Sequence, residues 1–152
     1  MEYAMRGKYL EDFTVGEAFL TAARTITEAD VVCFAGLTGD YTPLHTNEFF
    51  GKEHTPFGTR IAHGLLGLSI MSGLMTQTGF TEGTVLAFMQ SSERFLKPIL
   101  FGDTVVAKVM VKEVRPSSKP GRGVLTLTAQ LLNQRDEVVT EQEQVLLMKA
   151  RG

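Results

Sequence analysis

An aspartate and a histidine, Asp40 and His45, stand five residues apart in the run F-A-G-L-T-G-D-Y-T-P-L-H from Phe34 to His45. Gly39 and Pro43 break regular structure, so the sequence predicts a non-helical segment. Backbone geometry rather than helix periodicity would then place the two side chains. A carboxylate and an imidazole held on one short loop suit proton transfer to and from water. Read alone, Asp-x-x-Pro-x-His is more often a structural turn than a catalytic pair. His45, His54 and His63 recur at a spacing of nine, with Asp40 nearby. That is not the i, i+4 spacing of a helical metal pair, and no Cys or Glu completes a familiar ligand set, so no metal is expected. His63 reads as structural, its ring bonding backbone near a helix start, and His54 as an exposed loop residue.

The elements that must position these groups follow from pattern. Glu17–Thr25 reads as a short first strand. Thr27 is placed to cap a short helix running toward Leu37, which Gly36 and Gly39 end. A loop continues through Pro43, Asn47–Gly51 suggests one further helical turn, and Pro56 and Gly58 keep His54–Arg60 irregular. The longest helix is expected from about Ile61 to Gln77. Apolar or small residues occur all round it, so it should be buried on most faces. Gly64, Gly67, Ser69, Ser72 and Gly73 would let strands approach it closely. Strands are expected over Thr84–Lys97, Thr104–Val114, Gly123–Leu132 and Val138–Lys149. In the second, Val105, Ala107, Val109 and Val111 share a face; in the third, Leu125, Leu127, Ala129 and Leu131 do. The short joints Pro98–Asp103, Pro116–Arg122 and Asn133–Glu137 imply antiparallel neighbours. One long helix and a run of antiparallel strands give an α+β hot-dog fold, a central helix wrapped by a curved sheet, in one domain over residues 1–152. Pairing of free sheet edges would make a homodimer with one continuous sheet.

Composition narrows the function classes. The 152 residues are 43% apolar and 21% charged, with a formal net charge of −2 and no basic block, so no nucleic-acid partner is expected. The single cysteine, Cys33, allows no intrachain disulfide. It reads as packed and inert. The first residues lack an apolar signal-peptide core, and Ile61–Met75 is too short and too polar to span a membrane. A cytoplasmic protein with no membrane partner is the expectation. Met71, Met75 and Met89 read as core or tunnel lining, as do Leu65, Leu66, Leu68, Leu74 and Phe88. Asp103 reads as a turn former.

Three separated segments resemble one family. T-G-D-Y-T-P-L-H-T, then R-I-A-H-G-L-L, then R-F-L-K-P-I-L-F-G-D-T resemble the signature of MaoC-like dehydratases, including the (R)-specific enoyl-CoA hydratases. The resemblance implies that Asp40 and His45 are the catalytic pair and that the Gly64 N–H holds a thioester oxygen. It places Ser72 at the substrate, and Gly39, Thr42, Pro43 and His63 as support for the loop. Thr42 stands where the family pattern usually has Asn. The implied reaction adds water syn across a 2-enoyl-CoA double bond to give the (3R)-hydroxyacyl-CoA, or reverses this. No cofactor is needed and the acyl-CoA is substrate. Which of Asp40 and His45 acts first as base stays open. An acyl-CoA thioesterase is the rival enzyme, but Ile61–Gln77 carries no Asp or Glu. A noncatalytic acyl-CoA-binding module is the rival outside catalysis.

Overall fold

The computed structural model describes residues 3, 4 and 6–151. After one turn of 3-10 helix at Leu10–Asp12, the elements are β1 (Ala18–Leu20), β2 (Arg24–Thr25), α1 (Glu28–Thr38), α2 (Pro43–Thr46), α3 (Glu48–His54) and α4 (Gly64–Gln77). They are followed by β3 (Val85–Phe95), β4 (Thr104–Pro116), β5 (Arg122–Asn133) and β6 (Val138–Lys149). The strands form one antiparallel sheet in the order β1-β4-β5-β6-β3, with β2 also paired to β4. The expected helix-and-curled-sheet layout is present.

The alternation read from sequence builds the core. Val105, Ala107, Val109 and Val111 of β4 and Leu125, Leu127, Ala129 and Leu131 of β5 are buried on one face. They join Leu66, Ile70, Met71, Leu74 and Met75 of α4 in a single apolar cluster. Burial of each large aliphatic side chain of this kind contributes about 1.5–3 kcal/mol. At Gly67 the close neighbour is the segment joining β3 to β4, where a Cβ would fall 2.5 Å from Ile99 Cδ1; the nearest strand atom, Leu131 Cδ2, is 3.8 Å away. No such approach occurs at Gly73, which has open space beside it.

Several local expectations are corrected. The first strand is split. Thr21–Ala23 holds one residue more than β4 offers opposite it, and Thr21 Oγ1 accepts the Ala107 N–H where the backbone ladder lapses. Gly36 lies inside α1, and Gly39 alone ends it as a left-handed cap with φ 76°. At the other end Thr27 caps as expected, in a reciprocal box with Asp30. Pro43 does not break the helix but opens one, since a first-turn position needs no N–H. His45 therefore sits on the short helix α2, not in a loop. Asn47 caps α3, which runs on to His54. The long helix starts at Gly64, because Ile61–His63 is extended and held against residues 99 and 100.

α4 is less enclosed than its composition suggests. Leu65, Ser69 and Thr76 form an exposed face, with Ser72 half-buried among them. β3 and β4 are joined by a short connection yet are not neighbours; β3 pairs with β6 and keeps a free edge. Met89 on β3 is exposed, whereas Met71 and Met75 are core. Cys33 is exposed, since Val31 and Ala35 take the inward face of α1. No helix among the described residues is long and apolar enough to cross a membrane.

Two polar clusters brace this frame. Arg60 pairs with Glu28 of α1 and Glu48 of α3 and lies over the Phe101 ring, tying the helical segment to the loop after β3. Asp103 does more than form a turn. It is 3% exposed, and its carboxylate accepts Leu100 N–H, Gln134 Nε2 and Arg135 Nη1, while its carbonyl accepts Ile26 N–H. Asp103→Ala should lower stability by about 2–3 kcal/mol in urea denaturation, because it strands buried donors. An unchanged midpoint would contradict this role.

Candidate active site

The site is assembled from two segments. The first is the turn between α1 and α2. With Gly39 left-handed, the chain reverses and presents Asp40, whose N–H is accepted by Thr38 Oγ1 at 3.2 Å. The second is the extended run Ile61–His63 leading into α4. The segments meet at His63, which is 2% exposed. Its Nε2 lies 2.9 Å from the Asp40 carbonyl oxygen, so Nε2 carries the hydrogen and donates. The sequence reading placed this bond near the helix start; it reaches instead to the other segment.

His45 is oriented in the same way. Its Nδ1 lies 2.8 Å from the Ile61 carbonyl and must donate to it, which leaves Nε2 as the nitrogen that takes or gives a proton. The His45 and His63 rings stack with centroids 3.9 Å apart and planes tilted by 31°. Phe34 of α1 closes the far side of His63 at 5.0 Å. One carboxylate oxygen of Asp40 and one ring nitrogen of each histidine lie within 4.8 Å of one another. A single water, bonded at ~2.8 Å to each of two partners, spans such a gap.

Asp40 is half-exposed and its two oxygens differ. Oδ1 accepts Thr42 Oγ1 at 2.6 Å and Thr42 N–H at 3.2 Å. Oδ2 faces the histidines, 4.0 Å from His63 Nε2. The Thr42 hydroxyl, then its amide, hold the Asp40 carboxyl below the ordinary carboxylate range, with smaller help from His63 and His45. The residue at which this chain departs from the family pattern is thus bonded to the Asp40 carboxylate.

Gly64 is the first residue of α4. The N–H groups of a helix's first turn have no acceptor within the helix and favour negative charge beside them. A Cβ at Gly64 would fall 2.9 Å from the Phe95 ring, so β3 crosses the helix start only because glycine stands there. His45, Gly64, Leu65, Phe57, Phe95 and Thr140 line a cavity of about 440 Å³. Ser72 is not part of it. It lies about 12 Å further along α4 at 1.5 Å per residue, in a separate hollow with Phe80, Val85 and Phe88. His54 also stays apart, packed against Phe49 and Phe50. Phe34, Phe95 and the Ile61 carbonyl were not foreseen; a backbone acceptor and a ring brought from β3 leave no mark in a local motif.

Asp40, His45 and His63 are also the chemical types that bind metals. One nitrogen of each histidine is committed to a backbone carbonyl. A metal lies near the imidazole plane at ~2.0–2.1 Å from its ligand nitrogen. The two rings face one another with their planes tilted by 31°. The arrangement suits proton transfer around one water beside a group of N–H donors.

Known proteins resemble this chain over most of its length. Residues 12–131 match the MaoC like domain model. The chain is 35% identical to an (R)-specific enoyl-CoA hydratase of Rhodospirillum rubrum, over 95% of this chain and 94% of the relative. It is 36% identical to a 3-hydroxybutyryl-CoA dehydratase of Methylorubrum extorquens, over 91% and 83%. Among solved structures, a monoamine oxidase regulatory protein from Archaeoglobus superposes with a TM-score of 0.89 at 36% identity, covering 96% of this chain and 97% of that one. The (R)-hydratase of Aeromonas caviae involved in PHA biosynthesis superposes at 0.75 and 30% identity, covering 90% and 97%. By its matched residues, its hot-dog architecture and these relatives, the chain belongs to the MaoC-like dehydratase domain family.

Proposed function

We propose that the protein is a hydro-lyase that adds water to 2-enoyl-CoA thioesters, giving (3R)-3-hydroxyacyl-CoA, and catalyses the reverse dehydration without a cofactor. The observation that carries this reading is the convergence of Asp40 and His45 on a water-sized gap beside the amide end of α4. The names of the Rhodospirillum and Methylorubrum relatives supply the substrate class and the hand of the product.

Hydration places hydroxide on C3 and a proton on C2, and charge builds on the thioester oxygen as the enolate-like transition state forms. Asp40 and His45 hold the water between them. One takes its proton, and a proton is delivered to C2 from the same pair. The Gly64 N–H, at the positive end of the helix dipole, faces the developing oxyanion. Each proton transfer of this kind contributes about 10²–10⁴-fold. α4 holds no carboxylate side chain of the sort that would direct water at the thioester carbon, which favours hydration over hydrolysis.

The exposed strand β3 bears on assembly. Its outer edge is unpaired and it exposes Leu86, Phe88, Met89 and Phe95. Joining the β3 edges of two copies into one sheet satisfies the backbone and covers these side chains, so the working form is a homodimer or an assembly of dimers. A CoA-thioester substrate, as in the names of these relatives, suits a cytoplasmic enzyme.

Purified protein should hydrate crotonyl-CoA, followed by loss of the enoyl-thioester absorbance. Asp40→Asn and His45→Gln should each lower kcat by about 10²–10⁴-fold with the fold intact by circular dichroism. Full activity after either change would overturn the assignment, and release of free CoA thiol would point to a thioesterase. Gly64→Ala should cost about 10²-fold in kcat, since the added methyl meets Phe95 and moves the N–H donor. Unchanged kcat would remove Gly64 from the oxyanion role. Sedimentation should return an even multiple of the chain mass; a monomer at working concentration would refute the assembly.

A further inference from the structure

We infer that Thr42 is a positioning residue of this site, which turns the Asp40 carboxylate so that Oδ1 is tied to the protein and Oδ2 is left for the reacting water. The inference deepens the proposed function and rests on its reading of Asp40 as a reacting group.

Thr42 occupies the N-cap position of α2, where a threonine hydroxyl ordinarily accepts an N–H from the first helical turn. It makes no such bond. Its hydroxyl instead donates to Asp40 Oδ1 at 2.6 Å, the short distance of an O–H bonded to an ionised oxygen. Its amide reaches the same oxygen at 3.2 Å. Asp40 Oδ2 receives no hydrogen bond from the described residues and lies on the side of His63. Two donors on one oxygen and none on the other stop the carboxylate from rotating and make its oxygens inequivalent.

The position is fixed from the other side as well. The Thr42 carbonyl accepts His45 N–H at 2.9 Å, so the residue that holds the carboxylate also starts the helix that carries the imidazole. The other titratable groups facing Asp40 are His45 on α2 and His63 ahead of α4. Both remain when Thr42 is changed, so a difference between variants reports Thr42.

The test compares wild type with three variants: Thr42→Val, which keeps shape and loses the hydroxyl, Thr42→Ser, which keeps the donor, and Thr42→Ala as a smaller backup. Two readouts separate this inference from the proposed function. The first needs no substrate: the Asp40 carboxyl carbon is followed by NMR against pH. The bonds to Thr42 favour the ionised form, so losing the hydroxyl should move the Asp40 titration to higher pH in Thr42→Val and Thr42→Ala, and Thr42→Ser should restore it. The second is the pH profile of crotonyl-CoA hydration. Its acid limb should move up in the same variants, and kcat near neutrality should fall about 10- to 100-fold, the equivalent of one hydrogen bond to a charged group. A shifted titration in a protein that never hydrates crotonyl-CoA would support Thr42's hold on Asp40 while removing the proposed function. An Asp40 titration that does not move in folded Thr42→Val or Thr42→Ala would overturn the inference, as would lower kcat in Thr42→Val with an unmoved acid limb.

Discussion

The hydrogen bond from His63 Nε2 to the Asp40 carbonyl is the contact on which the site depends. It joins two segments through a buried side chain: the turn after α1 and the entry to α4. Through that bond the position of Asp40 is referred to the start of the central helix. Through the stacking of the His63 and His45 rings, the imidazole is referred to the same point. The rest of the fold serves to hold that point still. Ile99 against Gly67 and Phe95 against Gly64 set where α4 begins relative to the sheet. Arg60, paired with Glu28 and Glu48, keeps α1 and α3 over it.

The electrostatic design follows from this placement. Backbone carbonyls of Ile61 and Asp40 each consume one histidine N–H, which sets the tautomers and leaves His45 Nε2 free. The amide end of α4 lies on the same cavity. In the proposed function the wall at His45 handles protons, while the neighbouring wall carries positive partial charge from the helix start. A reaction that moves a proton while building negative charge on an oxygen uses both walls at once.

Much of this was legible in the residues because local rules and tertiary packing agree. The alternation of β4 and β5 reads directly as buried faces, and Thr27 with Asp30 reads as a helix cap. Asp40 and His45 stood out by type and spacing. What did not read through had tertiary causes. Pro43 reads as a breaker, yet it begins α2, because a proline signal does not distinguish a helix end from a helix start. The open face of α4 was hidden by small and apolar residues that look the same whether the sheet or another chain covers them. β3 and β4 were expected side by side, since a short joint normally links neighbours; here the joint runs along the end of the sheet, held by Leu96 N–H on Val139 and Ala62 N–H on Ile99. The bond of Thr42 to Asp40 follows from the turn that Gly39 makes, which residue identity alone does not reveal.

The most direct test of the assembled site is a crystal structure of the Asp40→Asn protein bound to crotonyl-CoA. The expected result is a thioester oxygen at about 2.7–3.1 Å from the Gly64 nitrogen, with C3 of the enoyl group facing His45 Nε2 and residue 40 across one ordered water. An acyl group lodged away from Gly64, with its thioester oxygen turned to solvent or to another donor, would contradict the joint action of the loop and the helix.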